Sequence, residues 1–261
     1  MEKLKKSRVR WRPGDWCSLL FPQRCPLCDG ALPFAPRLNA PLPQPFGEDV
    51  WVHAACHKQL KWIRDPSCLR CGRPVDSDGT VYCRDCLRRT FHFESNTALW
   101  VYDGMTRGSV SRFKYHGRQQ YAVYYARALW TAHAEKIRSM EAQAILPVPI
   151  HRDRLRKRGY NQAALIAWEL EKLSGIPCRE DILIRSKHTG AQKELGPAER
   201  LKNMENAFRI RKKPEGIHTV IIVDDIFTTG STLEAMSRVL LEAGVRRIFC
   251  LTLCIAGPEG S

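Results

Sequence analysis

Asp224 and Asp225 stand side by side at the end of the apolar run Val220-Ile221-Ile222-Val223, and Thr228-Thr229-Gly230-Ser231-Thr232 follows after two residues. Ionised carboxylates only accept hydrogen bonds. An adjacent pair can therefore take donors from two vicinal hydroxyls or hold a hydrated magnesium ion. The hydroxyl-rich turn leads into a helical pattern with Leu233, Met236, Leu240 and Leu241 on one face and Gly244 at its close. A phosphate at that helix start would meet backbone N–H groups, side-chain hydroxyls and the positive end of the helix dipole. The segment reads as a sugar-phosphate grip. The nucleotide-binding loop Gly-x-x-x-x-Gly-Lys-Ser/Thr, which would supply no acid pair for sugar hydroxyls, does not occur here.

A second chemistry lies nearer the amino terminus. Eight of the 11 cysteines precede Arg88, and their spacing forms four pairs: Cys25 with Cys28, His53 with Cys56, Cys68 with Cys71, and Cys83 with Cys86. Each pair lets one turn present two soft ligands to a tetrahedral ion, and two pairs complete a structural zinc site. Chain order groups Cys25, Cys28, His53 and Cys56 in one site and Cys68, Cys71, Cys83 and Cys86 in the other. His57 in place of His53, interleaved pairing and plain surface cysteines in the first set are alternatives. A site with four protein ligands leaves no open position for water, so it organises a small fold and does no catalysis. Cys17, Cys178, Cys250 and Cys254 read as small buried hydrophobes.

The composition fits a soluble protein with one sizeable core and a smaller module: 261 residues, 44% apolar, formal net charge +15. Met1 to Arg12 is basic without the apolar core of a secretory signal, and no apolar run reaches membrane-span length, so a cytoplasmic protein is expected. A reducing compartment favours zinc over disulfides. The excess positive charge raises the local concentration of polyanions. It is densest between Arg107 and Tyr160, with twelve Lys or Arg against three Asp or Glu.

These groups need elements to hold them. Thr97–Tyr102, Ala144–Ile150, the run before the acid pair and Ile248–Ala256 read as strands, with helical patterns over Gln120–Arg138 and Asn161–Leu173 between them. Such alternation predicts an α/β fold, a parallel sheet flanked by helices, in which ligands sit beyond the carboxyl ends of the strands. The expected domains are a basic segment over 1–24, a double zinc-ribbon-like module over 25–90 and the α/β domain over 95–258. A cationic loop, His151 to Gln162, leaves the same sheet edge as the acid pair. Arg152, Arg154, Arg156, Lys157 and Arg158 could neutralise a pyrophosphate there, with Gly159 making the turn. Arg185 to Phe208, with Gln192 and Arg200, reads as a lid or substrate-contacting segment.

The thirteen residues Val220 to Thr232 resemble the phosphoribosyl-pyrophosphate motif of type I phosphoribosyltransferases. The resemblance implies that Asp224 and Asp225 bind the ribose hydroxyls while Thr228, Thr229, Gly230, Ser231 and Thr232 wrap the 5-phosphate, with magnesium accompanying phosphoribosyl pyrophosphate. Adding Cys25-Pro-Leu-Cys28, Cys68-Leu-Arg-Cys71-Gly-Arg-Pro, Phe113-Lys-Tyr-His-Gly117, Pro147-Val-Pro-Ile150, Arg158-Gly-Tyr-Asn-Gln162, and Gln192 with Arg200, Asn203 and Phe208, nearly the whole chain is similar to the ComF/GntX family. His53 is a departure, since the family more often has cysteine there. Membership implies a zinc ribbon fused to a phosphoribosyltransferase-like domain, handling single-stranded DNA during natural transformation, with a DNA-uptake helicase or ATPase as the protein partner to expect. Two activities stay open. One is a ribose-phosphate-binding protein whose basic segments, with Tyr115, Tyr121 and Tyr124, grip single strands by charge and stacking. The other is an active phosphoribosyltransferase with an unidentified acceptor, for which Arg107 to Tyr121 is the candidate hood and carries no clear base-reading signature.

Overall fold

A computed structural model of the chain describes residues 23–32, 51–75, 80–186 and 207–257. The chain forms two compact units, Met1–Gln59 and Leu60–Ser261. In the first, an antiparallel bridge between Arg24 and Ala31 closes a knuckle around Cys25 and Cys28, and the short helix α1 (Ala54–Lys58) carries Cys56. The Pro-rich stretch after Leu32, Cys17 and residues 1–22 of the basic amino-terminal segment lie outside the described residues.

The second unit begins with the other cysteine set, whose helix α2 spans Arg84–Arg88, and continues into the α/β fold. Strand β1 (Ser95–Val101) is followed by helices α3 (Gly104–Tyr115) and α4 (Tyr121–Ser139), then by strand β2 (Ala144–Pro147). Helices α5 (Arg152–Arg158) and α6 (Gln162–Ser174) lead to the short strands β3 (Leu183–Arg185) and β4 (Phe208–Ile210). Strand β5 (Thr219–Phe227), helix α7 (Ser231–Glu242) and strand β6 (Arg247–Ile255) complete the unit. The main sheet is wholly parallel, in the order β1-β6-β5-β2, while β3 and β4 form a separate antiparallel pair. The parallel α/β architecture expected from strand-helix alternation is present.

Strand β5 sits inside the sheet, and Val220, Ile221, Ile222 and Val223 are all fully buried. A strand that points apolar side chains alternately to both faces must be covered on both. On one face Leu146, Val220, Ile222 and Cys250 cluster with Leu233, Met236 and Leu240 of α7. Helices α4 and α6 pack on each other, and α6 also packs on β2 and β5. Burial of each such aliphatic side chain is worth about 2 kcal/mol. Asp224 and Asp225, followed in the strand only by Ile226 and Phe227, are thus held near the carboxyl edge of a rigid sheet.

Three local structures differ from the sequence expectation. The cationic loop is helix α5: His151 Nδ1 accepts the N–H of Asp153, and Gly159 ends the helix at φ 83°. Arginine, leucine and lysine are good helix formers, and cap and stop together define the segment. The candidate hood is mostly helix α3, started by a capping box in which the Asp103 side chain accepts from the N–H groups of Met105 and Thr106 while Thr106 Oγ1 accepts from the Asp103 N–H. The proposed lid departs from and returns to the sheet unit through β3 and β4, with Arg185 opposite Phe208. Gln192, Arg200 and Asn203 lie outside the described residues.

Candidate functional site

Adjacent residues of a strand point to opposite faces, so the two aspartates meet different surroundings. Asp225 is buried, 4% exposed, on the face of α3 and α6. Lys114 Nζ lies 2.9 Å from its Oδ2, and Gln162 Nε2 donates to the same oxygen at 3.0 Å. Arg158 in turn donates to Gln162 Oε1 and lays its guanidinium over the Tyr115 ring, 5.0 Å from the centroid. The chain Arg158–Gln162–Asp225–Lys114 therefore ties the cationic helix to the acid pair.

Asp224 is half-buried and shares its face with Val220 and Ile222, the face that carries α7. Its Oδ1 accepts the N–H of Asp225 at 2.9 Å. Burial, and then the charge of Asp225, push its pKa up to about 7, against the opposing pull of Lys114. Arg185 of β3 adds a further cationic influence on Asp224.

Beyond the strand, Thr229 Oγ1 and Ser231 Oγ are 2.8 Å apart, the N-cap of α7 is Gly230, and Thr229 Oγ1 accepts the N–H of Ser231 at 3.5 Å. Thr228 is exposed, Thr229 and Thr232 half-buried, and Ser231 buried. Gly230 has φ 75°, and a Cβ there would come within 2.7 Å of Phe227 and 2.9 Å of Phe91. Only glycine satisfies both the backbone angle and the space. A helix start whose N-cap is glycine, with a hydroxyl cluster in front of it, offers N–H and O–H donors to an anion.

Of the cationic residues named from sequence, Arg158 and Arg154 are half-buried, while Arg152, Arg156 and Lys157 are exposed. Tyr115 is 70% exposed, but Tyr121 and Tyr124 are fully buried. The expectation that all three tyrosines stack on a strand is thus corrected. Tyr124 stacks on Trp100 at 6.0 Å between centroids, and Tyr121 packs edge-on against Tyr125. Their spacing at 121, 124, 125, 128 and 129 is that of a buried helical stripe, and this signal in the sequence predicts the core position. Lys114, Gln162 and Arg185 belong to the candidate hood, the cationic segment and the lid segment respectively, but their spacing in the sequence does not show that they converge on the acid pair.

The two cysteine sets gather as chain order suggested. Ligand atoms of Cys25, Cys28, His53 and Cys56 all lie within 4.8 Å of one another, as do those of Cys68, Cys71, Cys83 and Cys86. Tetrahedral zinc with bonds near 2.3 Å to sulfur needs donors roughly 3.8 Å apart, and Cys71 Sγ and Cys83 Sγ are 3.6 Å apart. In the first set His53 Nδ1 lies 3.2 Å from Cys28 Sγ. Its Nε2 is 3.0 Å from the carbonyl oxygen of Ala31. A carbonyl only accepts, so Nε2 carries the proton and Nδ1 presents its lone pair to the thiols, the tautomer a metal requires. Both donor sets fit structural zinc, and His57 is outside the cluster.

The second set is built into the α/β unit. Cys68, Cys71 and Cys83 are buried in the same cluster as Phe91, Phe93, Phe227 and Leu233. Asn96 of β1 donates to the Cys71 carbonyl at 2.9 Å and to Thr252 Oγ1 of β6 at 3.2 Å. Gly72 has φ 76° and sits so near this strand that a Cβ would meet the Asn96 carbonyl at 2.7 Å.

Comparison with known proteins agrees with this geometry. The phosphoribosyl transferase domain model matches residues 155–261, and the double zinc ribbon domain model matches residues 48–87. The chain is 32% identical over 200 residues to competence protein F of Haemophilus influenzae, an alignment covering 75% of this chain and 86% of that protein. It is 30% identical over 202 residues to competence protein ComFC of Bacillus subtilis, covering 75% and 80%. It is 29% identical over 190 residues to DNA utilization protein YhgH of Salmonella typhimurium, covering 72% and 83%. At 30% and 32% identity to two competence proteins, over alignments that cover at least 80% of each of them, the chain belongs to the ComF competence-protein family.

Proposed function

We propose that this protein binds phosphoribosyl pyrophosphate or a related ribose phosphate at the carboxyl edge of its sheet, with magnesium, and handles single-stranded DNA during natural transformation. The observation that carries the first part is the inequality of the acid pair. Asp225 is already compensated by Lys114 and Gln162, whereas Asp224 lies on the sheet face that carries α7, the helix whose start at Gly230 is flanked by the hydroxyls of Thr229 and Ser231. In this reading Asp224 takes the ribose hydroxyls or a hydrated magnesium ion. Asp225 positions Lys114 and orders the pair, and the residues Thr228 to Thr232 receive the 5-phosphate. Arg152 and Arg158, ahead of Gly159, take the pyrophosphate, and Gln192 and Arg200 contact the same ligand.

The single-strand part rests on Tyr115, an exposed ring whose one face is covered by Arg158 and which lies beside the cationic helix α5. A ring next to a row of cations is the ordinary means of holding unpaired bases and their backbone. The names of the relatives, competence proteins and a DNA utilization protein, point the same way. A cytoplasmic location suits a ligand set of seven cysteines and one histidine, and a DNA-uptake helicase or ATPase is the partner this role would require. Among the described residues no helix is long and apolar enough to cross a membrane.

The second reading is transferase activity toward an unidentified acceptor, favoured by the same Lys114 and Arg158, which could neutralise a departing pyrophosphate. Calorimetric titration of the zinc-loaded chain with phosphoribosyl pyrophosphate and magnesium tests both. Binding that Asp224→Asn abolishes supports the site, and pyrophosphate release with a member of a nucleobase panel adds turnover. Absence of binding at millimolar ligand refutes the site.

A further inference from the structure

The second cysteine set does more than close a small ribbon, because it touches the phosphate turn through two residues. Arg70 lies inside the knuckle, between Cys68 and Cys71. Its Nη1 donates to the carbonyl oxygens of Phe91 at 3.2 Å and of Phe93 at 2.6 Å. Those rings lie 4.9 Å apart and both meet Phe227, the last residue of β5, edge-on at 6.3 Å. Phe91 and Phe227 together leave no room for a side chain at residue 230, where the backbone is held at positive φ. The next residue, His92, is fastened to α7: its N–H donates to Glu234 Oε2 at 2.8 Å, and its Nδ1 is 2.5 Å from Oε1 of the same buried carboxylate. The segment from 91 to 93 thus has three anchors: the knuckle, the strand end and the first turn of helix α7, which follows Gly230.

We propose that Arg70 and Phe91 are positioning residues that couple occupancy of the Cys68, Cys71, Cys83 and Cys86 site to the shape of the phosphate turn at Gly230. Closing four thiolates on a metal fixes the backbone of residues 68–71, hence Arg70. Arg70 fixes the Phe91 carbonyl, and the Phe91 ring sets the distance of Gly230 from the sheet. Loss of the metal would release this stack and enlarge the motion of the turn. The consequence for ligand affinity rests on the ribose-phosphate reading above, but the mechanical link does not.

The test uses full-length protein carrying Arg70→Met or Phe91→Leu, with zinc content measured by mass spectrometry to establish that both metals remain. Hydrogen exchange of the amides at residues 229–232 is then compared with the unsubstituted chain and with chain stripped of zinc by a chelator. Faster exchange in all three altered forms is expected, together with about a fivefold or greater loss of affinity for ribose 5-phosphate, a typical coupling between linked sites. Unchanged exchange at 229–232 in the zinc-retaining variants overturns the proposal. Should the unsubstituted chain fail to bind ribose 5-phosphate while exchange still rises, the ligand reading falls and the coupling stands. Should a variant lose zinc, the Phe91→Leu form and the chelated chain decide by exchange alone.

Discussion

Lys114 of α3 and Asp225 of β5 form an ion pair of 2.9 Å, with side chains only 19% and 5% exposed. Removing one partner leaves the other charge buried, and such losses cost about 3 kcal/mol or more. Lys114→Met should therefore lower stability in urea by about that amount, more than Asp225→Asn, whose amide keeps hydrogen bonding. The double variant Lys114→Met with Asp225→Asn should recover part of the loss. A double-mutant cycle with no coupling between the positions would show the pair to be energetically idle.

The raised pKa of Asp224 gives a pH signature with a definite sign. Between the ordinary carboxylate range and about 7 the folded chain holds a proton that the unfolded chain releases. Stability from this group is therefore present at low pH and lost as pH rises through that window. Asp224→Asn imitates the protonated form at every pH. Relative to the unsubstituted chain it should be more stabilising at pH 8 than at pH 5, measured by urea unfolding. Magnesium-dependent ribose-phosphate affinity should run oppositely, rising as Asp224 ionises. A stability difference independent of pH would refute the assignment.

How much of this was legible beforehand follows from the range of the forces involved. Strand β5 and the two ligand sets were readable because the run Val220–Val223 and the cysteine spacings are local patterns with few alternatives. The ion pair was not. Lys114 and Asp225 are far apart in sequence, and α3, with Gly104, Gly108 and several hydroxyl residues, has little helical signature beyond its Asp103–Thr106 capping box. The short strands β3 and β4 are three residues each and show no alternation long enough to recognise. Tyr121 and Tyr124 lie in a stretch whose charge density reads as surface, whereas their 3.6-residue periodicity assigns them to the interior, where the structure has them.

The histidine of the first cysteine set makes a distinct prediction. With Nε2 bound to Ala31 and Nδ1 facing the thiols, His53 is the fourth ligand and His57 is not. Native mass spectrometry should find two zinc ions in the unsubstituted chain, one in His53→Ala and two in His57→Ala. His53→Cys should retain both, since thiolate also suits tetrahedral zinc. Equal loss from the two alanine variants would contradict the geometry.

The cationic helix and its tyrosine separate the two components of strand binding. Cations that neutralise phosphates release counterions, so withdrawing one such cation should lower the slope of log affinity against log salt by about 0.7 for a single strand. Arg152→Ala and Arg156→Ala, at exposed positions on α5, should each do so. Tyr115→Ala should leave the slope unchanged while lowering affinity about tenfold, in line with about 1–3 kcal/mol per stacked base. Tyr124→Ala should instead lower thermal stability, because that ring is in the core beside Trp100. Fluorescence anisotropy with a labelled oligonucleotide across a salt series distinguishes these outcomes. A Tyr115 variant that binds as tightly as the unsubstituted chain removes the exposed ring from the interface and leaves charge alone to account for any binding.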